Sequence, residues 1–147
     1  MANETDNQAL AALERMFRAI ETRDKAGFLA GFADDAILFD PHYPTPEMRG
    51  KAEIEAGIDW GLSVMKQFGF RTVNAFPGAD AQRAAVEVDS SHELKSGQKL
   101  SFPQVFICET RGGLVSRLRA YEPYGPNGIG GFFLGLERLK RRLAGKS

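Results

Sequence analysis

A carboxylate, an imidazole and a phenol stand almost side by side in Asp40-Pro41-His42-Tyr43-Pro44. Pro41, Pro44 and Pro46 forbid regular structure, so 40–48 is expected to be a loop. An aspartate at the edge of an apolar cavity has its charged form disfavoured by desolvation, which makes Asp40 a candidate general base. The same residue suits, on spacing alone better, a turn in which its carboxylate accepts loop N–H groups. Other features carry less. Cys108 lies mid-strand beside Phe106 and Ile107 with no histidine nearby in sequence, the setting of a buried and inert thiol. Gly128-Ile129-Gly130-Gly131 has the look of a phosphate loop but lacks the Lys-Ser/Thr of one, so it reads as a hinge. Arg138, Lys140, Arg141 and Arg142 read as a solvated helix face. Two histidines, His42 and His92, and one cysteine do not compose a usual zinc site, and no metal is expected.

The elements that must position these groups fit one domain over 1–147, since 147 residues leave no room for a second of ordinary size. Hydrophobic residues make up 43%, enough for a sizeable core without disulfides. Nineteen basic residues balance nineteen acidic ones, which argues against nucleic acid or an anionic membrane as the main partner. No apolar run approaches the ~20 residues of a membrane-spanning helix. The polar start Met1-Ala2-Asn3-Glu4 has no signal-peptide character, so the expected location is the cytoplasm.

Thr5 and Gln8 have capping-box spacing, and Leu10, Leu13, Phe17 and Ile20 follow with helical period. Asp24 can cap a short second helix reaching about Phe32, followed by a brief strand at 37–39. A third helix is expected from 51 to about 68, with Ile54, Ile58, Leu62 and Met65 on one face; Gly57 and Gly61 weaken it and suggest close packing. The period then switches to two, predicting strands over 70–76, 83–94, 100–110 and 114–122. Turns at 95–97 and 111–113 make antiparallel hairpins of the neighbours. Helices before strands is the α+β pattern. A Gly-rich hinge in 126–147 leads to an appended last helix from Phe132, whose Phe132, Phe133, Leu136, Leu139 and Leu143 form an apolar face that should be buried.

The run Phe32-Ala33-Asp34-Asp35-Ala36-Ile37-Leu38-Phe39-Asp40-Pro41 resembles a segment of the ketosteroid isomerases, within the nuclear transport factor 2-like superfamily. Asp40-Pro41-His42-Tyr43-Pro44 together with Tyr121-Glu122-Pro123-Tyr124-Gly125-Pro126 is most similar to SnoaL-like bacterial proteins. The resemblance covers 8 to about 123. It implies a nuclear transport factor 2-like (cystatin-like) cone: three N-terminal helices on a curved antiparallel sheet, a homodimer, and no cofactor.

Carried over by residue, the isomerase site puts Asp40 on the general base. Met16, or Phe17 with a shift, falls where a tyrosine donor belongs, and Gln104 falls where a protonated acid belongs. Neither Met16 nor Phe17 has a proton to donate, whereas Gln104 can donate from its amide. The epoxide-hydrolase set fares worse, with Asp89 matching one acid, Glu87 in place of arginine and Ala120 in place of the second acid. The resemblance puts Phe102, Gln104, Leu118, Ala120 and Glu122 on the concave side. Val86, Val88, Ser90 and His92 suit the cavity face of their strand, and Glu87, Asp89, Ser91 and Glu93 solvent or a dimer surface. The expected ligand residues are His42 and Tyr43 at the mouth, Trp60, Val88, Phe102 and Leu118 on the wall, and Gln104 and Glu122 orienting polar groups. The expected partner is a small, apolar, carbonyl-type metabolite, transformed by proton transfer; a silent binding or dimerisation domain is the alternative.

Overall fold

Helix α1 (Gln8–Glu21) starts where the Asn7 side chain accepts the Leu10 N–H at 3.0 Å. The computed structural model describes residues 6–123 and 128–145. Thr5, half of the expected capping box, lies outside them, and Asn7 supplies the cap. Asn7 is buried, and its amide donates to the Arg83 carbonyl at 3.0 Å, so the cap also ties α1 to the sheet. Ala9, Leu13, Met16 and Ile20 form the buried face of α1. Helix α2 (Lys25–Ala30) is capped by Asp24, which accepts the Gly27 N–H at 2.9 Å. Between the two, Arg23 adopts φ 59° and sends its guanidinium to the carbonyls of Leu62 (2.6 Å) and Met65 (2.7 Å). Those carbonyls close helix α3 (Gly50–Val64), where the helix dipole favours a cation.

The strands are β1 (Phe32–Phe39), β2 (Glu47–Arg49), β3 (Met65–Gln67), β4 (Phe70–Pro77), β5 (Arg83–Leu94), β6 (Lys99–Arg111) and β7 (Leu114–Tyr121). They form one sheet in the order β2-β1-β7-β6-β5-β3, with β4 also paired to β5. The β5–β6 and β6–β7 hairpins are antiparallel, as their turns predict, and β1 joins β7 in parallel. Three boundaries differ from expectation because pairing overrides local propensity. Phe32 begins β1 opposite Val115 instead of ending α2. Part of the proline-rich loop, Glu47–Arg49, pairs with β1. The third helix stops at Val64, and Met65–Gln67 pairs with β5.

The sheet's inner face carries the core. On β5, Ala84, Val86, Val88, Ser90 and His92 are buried while Asp89 and Ser91 are exposed, the alternation of a strand with one face covered. Phe17 of α1 stacks on Phe70 (4.7 Å between ring centres) and meets Phe106 edge-on (5.1 Å), which fastens the helix to the sheet. Burying Leu13 or Ile54 to this degree stabilises the fold by about 1.5–3 kcal/mol each.

Helix α4 (Gly128–Ala144) begins earlier than Phe132, so Gly128, Gly130 and Gly131 are helical and not hinge; Gly125 lies outside the described residues. Among the described residues the expected burial of its apolar face is not seen: Phe132, Leu136, Leu139 and Leu143 are exposed, and the side chain of Phe133 is not among those described. Among the described residues no helix is long and apolar enough to cross a membrane.

Candidate functional site

Asp40 follows β1 directly and organises the turn after it. Its Oδ1 accepts the His42 N–H at 3.0 Å, its carbonyl accepts the Tyr43 N–H at 3.2 Å, and its own N–H donates to the Pro46 carbonyl at 2.9 Å. The turn-forming reading of Asp40 is therefore realised. So is its position on a cavity: the side chain is 15% exposed and lines a cavity of about 310 Å³ between the helices and the inner face of the sheet. Its other oxygen, Oδ2, has no hydrogen-bond partner among the described residues. Burial raises the proton affinity of the carboxyl, and the His42 N–H bond and the His42 charge counter this only in part.

The loop is held against α3 by two glycines. A Cβ on Gly57 would lie 2.3 Å from Met48 Sδ, and one on Gly61 would lie 3.1 Å from the Tyr43 hydroxyl. The close packing expected of these glycines is thus the seat of the Tyr43 ring, which meets Trp60 edge-on at 5.6 Å. Burial, with the Asp40 charge adding to it, drives the Tyr43 phenol well above its ordinary value.

Glu122, just past β7, comes to the same place from the other end of the chain. Its Oε1 accepts from His42 Nδ1 at 2.6 Å and from the Gln104 amide at 3.1 Å. Gln104 in turn accepts from the Ser90 hydroxyl at 2.6 Å, so Ser90, Gln104, Glu122 and His42 form one chain across β5, β6, β7 and the loop. His42 Nδ1 also lies 3.7 Å from Asp40 Oδ1, and the ring, 48% exposed, stands at the mouth. Burial raises the Glu122 carboxyl; the His42 charge and the Gln104 hydrogen bond pull it back down, and the Asp40 charge pushes it up. Asp40, His42 and Glu122 each offer one ligand atom within 4.8 Å of the others, so a divalent cation could be held there if the His42–Glu122 bond opened. Sequence reasoning saw no such set, because Glu122 is remote from the loop until the parallel β1–β7 pairing aligns their ends.

Most expected ligand residues reach the cavity: Asp40, His42, Tyr43, Trp60, Phe102, Gln104 and Leu118 all line it. Met65 and Phe68, whose spacing after Trp60 suits plain core better, line it too. Val88 does not. It has no accessible surface and belongs to the core, so it has none to offer a ligand, and His92 is the residue of that strand on the wall. Glu122 is bonded to two of the lining residues, His42 and Gln104, without lining the cavity itself. The residue singled out too weakly by sequence is His92; its signal was its place on the inward alternation of β5.

Met16 and Phe17 both line the cavity, so the position of the isomerase tyrosine holds no donor. The epoxide-hydrolase comparison fails geometrically: Asp89 pairs with Arg71 on the exposed side, Glu87 accepts from Asn74 there, and Ala120 is buried in the core. Cys108 is buried with its thiol pushed up to about 12, which leaves it inert.

Comparison with known proteins bears on the fold. Residues 13–118 match the SnoaL-like domain. Among curated proteins, none matches the sequence. A ketosteroid isomerase from Mycobacterium sp. superimposes with a TM-score of 0.72 at 22% identity, over 80% of this chain and 94% of that one. A Mycobacterium tuberculosis protein in complex with estradiol-17beta-hemisuccinate gives 0.72 and 22%, over 80% and 95%. A computationally designed 17-OHP binder gives 0.73 and 22%, over 80% and 95%.

Proposed function

The chain belongs to the SnoaL-like domain family, and on that premise we propose that it binds a small, largely apolar, carbonyl-bearing molecule in the cone and moves a proton on it without a cofactor. One observation carries the reading: the Asp40 carboxylate lies on the wall of an otherwise apolar cavity with Oδ2 unpartnered among the described residues and its proton affinity raised. Asp40 takes a proton from a carbon next to the carbonyl. The C–H electron pair passes into an enolate, and Asp40 returns the proton to another carbon, so no redox partner is required. His42, bonded to Glu122 and half exposed, connects the carboxylates to bulk water. The estradiol-17beta-hemisuccinate complex and the designed 17-OHP binder with the same fold support a ligand of this chemical kind.

A second reading is a silent binder, favoured by the absence of a donor at Met16 and Phe17. Asp40→Asn separates the two. Asparagine still accepts the His42 N–H through its side-chain oxygen but has no basicity. Loss of isomerase, lyase or cyclase turnover on a panel of cyclic ketones, with binding within about threefold of wild type, supports the enzyme. Binding without turnover by wild type on every member supports the binder.

The single SnoaL-like unit with α4 appended works, on the same proposal, in the cytoplasm as a homodimer. The support for pairing is the apolar surface the chain leaves open: Val105 and Tyr121 on the sheet, and Leu136, Leu139 and Leu143 on α4.

A further inference from the structure

His92 takes no part in the proton path above, yet it lies on the same cavity. We propose that His92 Nε2–H is the cavity's fixed hydrogen-bond donor and holds a neutral acceptor oxygen, a carbonyl or ether, of the bound molecule. This rests on the cavity being the ligand site and is independent of Asp40 acting as a base.

The ring is 8% exposed and is walled by Phe68 (5.3 Å), Phe70 (5.1 Å) and Phe102 (5.6 Å), each meeting it edge to face. Its Nδ1 accepts the backbone N–H of Gly69 at 3.2 Å. A neutral imidazole has one N–H, and the nitrogen that accepts is not the one that carries it, so the proton is on Nε2. The main chain locks this arrangement. Ser91 N donates to Gly69 O at 2.9 Å, and a Cβ at position 69 would lie 2.5 Å from the Ser91 carbonyl, so glycine alone lets the N–H come this near. Burial lowers the imidazole to about 4 and the His42 charge adds to the fall, so the ring is neutral at neutral pH.

Among the described residues Nε2 has no hydrogen-bond partner. The ring keeps a small accessible surface and lines the cavity. A donor facing an apolar cavity favours an occupant that accepts from it. Asp40 and Glu122 nearby disfavour an anion, which leaves a neutral ketone or ether oxygen. Phe102 lies against both His42 (5.0 Å) and His92, and all three line the same cavity as Asp40.

The test uses cyclodecanone and cyclodecane, one apolar ring with and without the acceptor, titrated against wild type, His92→Asn and His92→Gln. Trp60, the chain's single tryptophan and part of the wall, reports binding by fluorescence. The asparagine oxygen replaces Nδ1 as the acceptor for Gly69 but leaves nothing at the Nε2 position, whereas the glutamine amide reaches it. His92→Asn is expected to weaken the ketone about tenfold and the hydrocarbon by less than about twofold, with His92→Gln restoring most of the loss. Equal effects of His92→Asn on both probes, or none on the ketone, would overturn the donor role while leaving the ligand cavity standing. No binding of either probe by wild type overturns both. Nitrogen-15 spectra of the free protein give a direct check: an Nε2–H tautomer at neutral pH is expected, and an Nδ1–H tautomer would refute the inference.

Discussion

Replacing Gln104 with leucine probes the chain that carries Glu122 and His42, and its effect can be worked from the partners left behind. Ser90 has no accessible surface and donates only to Gln104 Oε1, at 2.6 Å, so the substitution strands a buried hydroxyl at about 1–3 kcal/mol. Glu122 loses one charge-assisted donor; because its side chain is 18% exposed, water replaces part of this, and the loss is about 1 kcal/mol. Leucine returns about 1–2 kcal/mol by burying apolar surface. The net destabilisation is about 1 kcal/mol. The sharper reading comes from the cycle with Ser90→Ala, which removes the hydroxyl before it can be stranded. The double variant is then expected to be more stable than the sum of the singles implies, by about 1 kcal/mol. Urea unfolding at one fixed chain concentration measures all four proteins. Additivity within about 0.5 kcal/mol would refute the claim that Ser90 and Gln104 act as one buried unit.

Three further outcomes are expected. Asp40 has a raised folded pKa, so the fold binds its proton more tightly than the unfolded chain does, and its stability contribution falls as pH rises from the unfolded value near ~3.9 through the folded one. Asp40→Asn should therefore melt higher than wild type at neutral pH and lose that advantage below about pH 4; equal melting at both values would remove the desolvation argument. Gly57→Ala gains about 1 kcal/mol of helix propensity but drives Cβ into Met48, which is itself 1% exposed; overpacking at about 1–3 kcal/mol should win, and a higher midpoint in thermal unfolding would show that Met48 moves aside freely. Sedimentation at micromolar concentration should report about twice the 16.2 kDa chain mass, and a stable monomer would contradict the proposed pairing.

What the sequence by itself determined is what short-range physics controls. The period-two stretch 83–94 and its hairpin partners were legible because alternation and Gly turns are local, and β5 matches that span residue for residue. Asp40 was legible as both turn-former and candidate base, since a proline-rich segment after a strand end permits little else. The run from Phe32 to Pro41 made the ketosteroid isomerase resemblance readable, and with it the cone, while Asp40-Pro41-His42-Tyr43-Pro44 and the stretch from Tyr121 to Pro126 narrowed it to the SnoaL-like proteins.

Tertiary structure decided the rest, because each remaining feature depends on groups far apart in the chain. Phe32 and Met65 have helical neighbours yet are strand, since a long-range ladder supplies hydrogen bonds that the local helix could not continue to offer. Val88 and His92 share one face of β5, and nothing in their alternation says which is sealed in the core and which reaches the cavity. Glu122 becomes a partner of His42 only because β1 and β7 run parallel and end side by side. The tautomer of His92 is set by a backbone N–H from Gly69, a contact made by the β-sheet register and invisible to any residue-type rule. Residue types state what chemistry is possible; the fold decides which atoms are close enough, and dry enough, to carry it out.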